Sequence, residues 1–318
     1  MIDVVTLGEL LIDFTCVTQD ADGYPTMVAH PGGAPANFLA ALTKFGAKTA
    51  LIGKVGNDTF GKLLTGTLRK TGIETRGLVV ADDVFTTLAF VTLDETGNRE
   101  FAFARKPGAD TCITYDEIDL SLIDEAKVFH FGTLSLTDEP ARATTYRVVE
   151  YAKAQGKLIT FDPNLRKPLW KDLEAAKEQI LWGLKQADVV KISDEEVEFL
   201  WGLGIEEGAD YILNNFGVKL VFVTRGPEGC YFKNAVACGS EPSLRDIQVA
   251  DTTGAGDIFG GSAVWKLLNL NKAPETVTAE ELHDVVKFAC TSAGLSTTRS
   301  GGISSVPEYD AVMKRMGD

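Results

Sequence analysis

The segment Asp251-Thr-Thr-Gly-Ala-Gly-Asp257 holds the residues best suited to chemistry. Gly254, Ala255 and Gly256 strip bulk from a turn, and a helical run follows from Ile258 to Leu268. Amides in the first turn of a helix have no intrahelical acceptor, so those of Gly254 to Asp257 can converge on one anion. Such a hole suits the charge of a migrating phosphoryl group. Asp257 sits in the same turn, where the helix dipole favours the ionised carboxylate, and it can accept a hydroxyl proton. Read alone, the segment also fits a small-residue helix start with an N-terminal charge.

Two further glycine-bearing segments invite the same question. In Pro31-Gly-Gly-Ala-Pro-Ala-Asn37, Gly32 and Gly33 allow a ligand to approach the backbone. Asn37 carries both a donor and an acceptor and could read a pair of sugar hydroxyls. A plain loop before a helix accounts for the segment equally well. Gly56-Asn-Asp-Thr-Phe-Gly61-Lys62-Leu63 matches G-x-x-x-x-G-K, but Leu63 stands where a phosphate loop needs a hydroxyl for magnesium. A tight strand-to-helix turn with Asp58 as cap is the expectation there.

Other chemistries find little support. The cysteines, Cys16, Cys112, Cys230, Cys238 and Cys290, include no C-x-x-C and are odd in number, which argues for reduced thiols rather than a disulfide framework or zinc site. His30, His130 and His283 lie far apart, with no metal or triad spacing. With 31 basic and 45 acidic residues the net charge is −14, which disfavours nucleic acid and anionic membrane as partners. The start of the chain is acidic (Asp3, Glu9, Asp13) before the first cation, Lys44, so a cleaved export signal is not expected and a cytoplasmic setting is.

The elements that must position these residues follow from hydrophobic periodicity. Short β-rich runs (4–7, 49–55, 128–131, 158–161, 189–192, 220–223) alternate with helical patterns (34–45, 58–72, a run to 156, 173–186, 254–268, 279–295). Ser193 and Glu196 form a capping box. A β-hairpin is expected across 87–105, turning at Asp94–Asn98, and another hairpin after 223. The alternation predicts an α/β fold: a mostly parallel central sheet with helices on both faces. With 318 residues, 45% hydrophobic, one large domain spanning 1–318 is reasonable. The stretches 14–30 and 84–105 break the alternation and predict a small β element on one edge.

Together these residues resemble the ribokinase-like (PfkB) carbohydrate kinase family. Its two signatures correspond to Gly32-Gly33 with Asn37 and Gly56-x-Asp58-x-x-Gly61, and to Asp251–Asp257. Gly8-Glu9-Leu10-Leu11-Ile12-Asp13, Arg105–Asp110, His130-Phe-Gly132, Asp162–Arg166 with Pro168-Leu-Trp170, and Lys191–Glu196 are similar to its fructokinase branch. The resemblance implies a ribokinase-like fold with a β lid from 14–30 and 84–105. It implies ATP and Mg²⁺, with K⁺ as a further cation. Separately, an apolar, edge-forming β element invites pairing with a second copy, so a homodimer through the lid is the expectation. The acceptor site would take Asp13, Gly32, Gly33, Asn37, Arg105, Asn164, Arg166 and Asp257, with Arg105 reaching over the sugar. Catalysis would fall to Asp257 and the Gly254-Ala255-Gly256 backbone. The nucleotide site would take Lys191, Ser193, Thr224, Gly226, Gly229, Gly254 and Gly256, with Glu196 on magnesium through water. Ser193 stands where many members have Asn, and Arg225 where Leu is commoner. A monovalent-cation site would draw on Asp251, Thr253, Ser296, Arg299, Gly301 and Ser305.

The implied activity is ATP-dependent phosphorylation of a sugar primary hydroxyl, with fructose as acceptor. Ribose, 2-keto-3-deoxygluconate and a nucleoside stay open as alternatives, as does a silent sugar- or nucleotide-binding regulator. A silent copy should have lost the base or the anion hole, and this chain keeps Asp257, Gly254 and Gly256. A dinucleotide oxidoreductase needs G-x-G-x-x-G after an early strand, whereas Gly254-x-Gly256-x-x-x-Gly260 lies late with different spacing.

Overall fold

The structure, a computed structural model, describes residues 1–93 and 99–317. The chain begins with strand β1 (Val4–Leu7), leaves the body as β2 (Leu11–Gln19) and β3 (Pro25–Gly32), and returns as helix α1 (Ala34–Lys44). Strand β4 (Thr49–Gly56), helix α2 (Thr59–Thr71) and strand β5 (Leu78–Ala81) follow. A second excursion forms β6 (Leu88–Leu93) and β7 (Arg99–Ala104). Strands and helices then alternate as α3 (Ser121–Glu125), β8 (Val128–Gly132), α4 (Ala141–Ala154), β9 (Leu158–Asp162), α5 (Leu173–Gln186), β10 (Val189–Ser193), α6 (Asp194–Trp201), α7 (Ile205–Phe216) and β11 (Leu220–Thr224). Strands β12 (Cys230–Asn234) and β13 (Cys238–Glu241) precede helices α8 (Ala255–Leu270), α9 (Ala279–Ser296) and α10 (Tyr309–Gly317).

Two sheets result. The larger runs β13-β12-β11-β10-β9-β8-β1-β4-β5, parallel from β11 to β5, with an antiparallel edge at β12 and β13. Alternate residues of each central strand feed opposite faces, as the pleat demands. Val5, Phe129 and Val190 pack under α4 and α5, while Val4, Val128 and Val189 pack under α1, α8 and α9. The chain builds outward from β1 first to β4 and β5, then to β8 and beyond. The crevice at the carboxyl ends of β1 and β8 is therefore the switch point where an open α/β sheet takes its ligand.

The smaller sheet runs β3-β2-β6-β7. Its strands reach further than the 14–30 stretch expected, because Asp13 and Gly32 themselves lie on β2 and β3. Phe14 stacks on Phe90 and meets Phe60 of α2 edge-on, fixing this sheet to the body. The hairpin strands β6 and β7 pair as expected; the expected turn at 94–98 lies outside the described residues.

Local signals explain the helix starts. Asp58 accepts from the amides of Phe60 and Gly61, each at 2.8 Å, and its other oxygen from Thr86 N at 2.8 Å. A Cβ on Gly61 would lie 1.9 Å from the Gly56 carbonyl oxygen. The G-x-x-x-x-G-K segment is thus a close-packed turn with a capping aspartate. The Ser193–Glu196 capping box forms as expected on α6. Helix α7 lies past Gly202 and Gly204, which interrupt the periodicity and hide it in the sequence.

Candidate active site

Helix α8 begins at the switch point. Gly254 takes a left-handed φ of 77°, and Ala255 N donates to Thr252 O at 3.3 Å, closing the turn. A Cβ on Gly254 would stand 2.9 Å from Gly302 Cα, and one on Gly256 would stand 3.2 Å from Lys191 Nζ. The first turn is therefore bare backbone with an ammonium group against it, which strengthens its attraction for an anion.

Asp257 is buried in this turn and accepts from Asn37 Nδ2 at 2.9 Å. Burial raises its carboxyl above the ordinary range, opposed by Asn37, Lys191 and Arg166. The other Asn37 atom, Oδ1, is buried and has no hydrogen-bond partner among the described residues. An acceptor left bare is costly unless a donor arrives, and a substrate hydroxyl is such a donor.

Two cavities meet at this helix start. The smaller, about 120 Å³, has mixed polar and apolar walls. Asp13, Gly33, Asn37, Asn164, Arg166, Gly254 and Asp257 line it together with Glu9. Val91 and Phe103 of the small sheet also line it. The larger, about 460 Å³, is mainly apolar and lies on the other side of the turn. Its walls include Thr224, Gly226, Gly229, Leu244, Val249, Ala255, Gly256 and Phe259. Thr252 borders both cavities.

Each remaining residue has a definite place. Gly32 lies against Asp13: a Cβ there would be 2.1 Å from Asp13 Oδ2. Burial raises Asp13, and Arg166 is the main opposing charge. Lys191 pairs with Asp162 at 2.9 Å. Burial works against the ammonium form, but Asp162 and Glu196 hold Lys191 protonated. Asn164, at a left-handed φ of 45°, donates its N–H to Asp162 at 3.1 Å. Glu196 accepts from Leu165 N at 2.7 Å and Ser193 N at 2.9 Å. With both oxygens already accepting, Glu196 fits magnesium only through water.

Some residues lie differently from expectation. Arg105 does not line the smaller cavity; its guanidinium is spent on Asp110, Thr137 and the Leu134 carbonyl. Ser193 caps α6, accepting from Glu196 N at 3.2 Å. Of the cation set, Asp251 accepts from Thr253 N at 2.9 Å, Thr253 Oγ1 at 2.7 Å and Gly301 N at 3.0 Å. Ser305 bonds the Gly302 carbonyl, so it braces the same turn. Ser296 is buried with its hydroxyl on Ala293 O, and Arg299 is exposed. Among the described residues no group of three or more His, Cys, Asp or Glu could hold a metal.

Sequence reasoning assigned no role to Glu9, Asp162 or Gly302. Glu9 and Asp162 each stand at or just past the carboxyl end of a strand, and that position is the signal that could have found them. Glu9 accepts from Ala34 N at 2.8 Å, and burial pushes its carboxyl up to about 8. Gly302 lies beside Asn37 across a long sequence separation that no local pattern encodes. His130 is buried, stacked on Phe38 with centroids 3.8 Å apart, and burial pushes it down to about 3, so it is neutral.

Known proteins resemble this chain over nearly its whole length. Residues 1–309 match the pfkB family carbohydrate kinase. Fructokinase-1 of Zea mays is 41% identical over 315 residues, covering 98% of this chain and 96% of that protein. Fructokinase-2 of Solanum lycopersicum is 40% identical over 309 residues, covering 96% and 93%. The crystal structure of fructokinase with bound ATP from Xylella fastidiosa superposes with a TM-score of 0.90 at 28% identity, covering 99% of this chain and 98% of that one. Fructokinase from Vibrio cholerae O395 in its fructose-, ADP- and calcium-bound form gives 0.87 at 30% identity, covering 98% of each. The chain belongs to the pfkB family of carbohydrate kinases.

Proposed function

We propose that this enzyme transfers the γ-phosphoryl group of ATP to a sugar primary hydroxyl, converting fructose to fructose 6-phosphate. One observation carries the reading: the first turn of α8 is the shared wall of a small cavity lined with polar groups and a large apolar one. A hydroxyl held in the first and a terminal phosphate reaching in from the second meet at Asp257. The names of the relatives support fructose as the acceptor and ATP as the donor.

In this reading the sugar oxygen bonds to the γ-phosphorus as the β–γ bridging oxygen leaves with ADP, and the proton passes to Asp257. Asn37 holds that carboxylate in place, and burial makes it a stronger base than an exposed aspartate. The Gly254–Asp257 amides not claimed by the Ala255–Thr252 bond take up charge on the phosphoryl group in flight, together with Lys191. Asp13, Asn37, Asn164 and Arg166 read the sugar hydroxyls. Thr224, Gly226 and Gly229 border the nucleotide. Magnesium, when bound with ATP, neutralises phosphate charge, and Glu196 would hold it through water. The oxygens of the 251–253 and 296–305 turns would hold a monovalent cation.

We read the chain as one kinase domain whose small sheet is a lid, with Val91 and Phe103 closing over the sugar. Exposed Val17 and Val28 on β2 and β3 support pairing of two lids in a homodimer. Five unpaired cysteines support a reducing, cytoplasmic setting, and among the described residues no helix is long and apolar enough to cross a membrane.

A panel of fructose, ribose, 2-keto-3-deoxygluconate and a nucleoside, with ATP, Mg²⁺ and coupled ADP detection, tests the reading. Fructose should react fastest. A faster reaction with ribose overturns the acceptor, and no transfer to any of the four by folded protein overturns the kinase.

A further inference from the structure

The second excursion of the chain is pinned at both of its roots by one carboxylate. Thr87 immediately precedes β6 and Arg105 immediately follows β7. Asp110 Oδ1 accepts from Thr87 Oγ1, and Oδ2 accepts from Arg105 Nε at 2.8 Å and Nη2 at 2.7 Å. Arg105 also donates from Nη2 to the Leu134 carbonyl at 2.8 Å and from Nη1 to Thr137 Oγ1 at 2.7 Å. Both charged side chains are only 2% exposed. The chain closes tightly around them: a Cβ on Gly108 would stand 1.8 Å from Thr87 Oγ1.

A buried ion pair gains little stability over an apolar pair of similar volume. What it supplies is direction, because the guanidinium fork fixes several bonds in one plane. Here the fork joins the feet of β6 and β7 to the Leu134 loop. Val91 of β6, Phe103 of β7 and Leu134 all line the small cavity. The clamp thus ties three walls of the acceptor cavity to each other, and none of its own three side chains lines that cavity.

We propose that the Thr87–Asp110–Arg105 clamp is a positioning device that seats the small sheet over the acceptor cavity, so that ATP is spent on sugar rather than on water. It rests on the sugar-kinase reading above. Arg105 is then a positioning residue and not a sugar ligand. When the sheet sits askew, water reaches the anion hole. Its oxygen bonds to the γ-phosphorus, its proton passes to Asp257, the β–γ bridging oxygen leaves with ADP, and phosphate is released.

Three full-length variants test this. Thr87→Val removes one bond and keeps the ion pair. Asp110→Asn removes the charge at constant shape. Arg105→Met with Asp110→Leu replaces the pair by apolar groups and guards against misfolding from a stranded charge. The expected result is a KM for fructose raised about tenfold, least in Thr87→Val, because small displacements of a bound substrate cost this much or more. KM for ATP should stay within about twofold. ADP formed per fructose phosphorylated should rise above one. Without sugar, amide exchange over 88–92 and 102–104 should speed up in the variants and stay unchanged in β8 and β9.

Folded variants with the parental fructose KM, one ADP per sugar and parental exchange overturn the clamp. A lowered Tm with stoichiometry held at one also overturns it, because that is a purely structural effect. A parent that phosphorylates no sugar overturns the kinase reading instead, and the exchange comparison still decides whether the clamp seats the sheet.

Discussion

Asp257 combines three properties that rarely coincide by chance. It is buried, held by a side-chain donor, and sits in the first turn of a helix. Burial raises the carboxyl, so the ionised form is a ready proton acceptor once a hydroxyl lies against it. Asp257→Asn keeps the shape and removes the base. It should lower kcat by roughly 10²–10⁴, the usual worth of a general base, while nucleotide binding by calorimetry changes little. A variant turning over fructose at the parental rate would remove Asp257 from the mechanism. The residue types at Asp257, Asn37 and Asp13 were legible from sequence. Arg105 was legible as part of a motif but not in its partners, because nothing local reveals that Asp110 and Thr137 claim its donors.

At the level of elements, glycine marks where backbone or ligand must come close. Gly302 has an ordinary negative φ, so alanine is allowed by backbone and forbidden by space. Its Cβ would lie 2.1 Å from Asn37 Oδ1 and 2.6 Å from Nδ2. Gly302→Ala should push the Asn37 amide off Asp257 and lower kcat/KM for fructose about 100-fold, with KM for ATP little changed. Steady-state kinetics with each substrate varied in turn checks this. Equal loss on the ATP side would mean that the α8 turn itself had collapsed. The parallel strands, the long helices and the caps at Asp58 and Ser193 were readable because each is a local pattern. The breaks at Gly202 and Gly204 hid α7, and β5 is a four-residue strand on the sheet edge.

Over the whole molecule, acidic groups crowd a dehydrated crevice, and that has a consequence for stability. Glu9 ionises near 4.5 when unfolded and near 8 when folded. The folded state therefore binds more protons across that window, and stability falls as pH rises through it. A tenfold difference in proton affinity between the two states is worth about 1.4 kcal/mol, so the ligand-free protein should lose several degrees of Tm between pH 5 and 8. Glu9→Gln keeps the acceptor for Ala34 N and removes the charge, so calorimetric scans should show a flatter profile. A parent whose Tm rises over this range, or a variant with an unchanged slope, would contradict the burial of Glu9. The sequence by itself determined the layered α/β architecture, because strand and helix periodicity is local and survives without context, and the resemblance of its motifs pointed to the sugar-kinase family that the comparisons bear out. Only the tertiary structure decided which groups share a cavity, how the feet of the small sheet are tied, and which carboxyls are dehydrated. Those outcomes depend on residues tens to hundreds of positions apart meeting across the crevice, such as Asn37 with Asp257 and Gly302, and no local spacing encodes that distance.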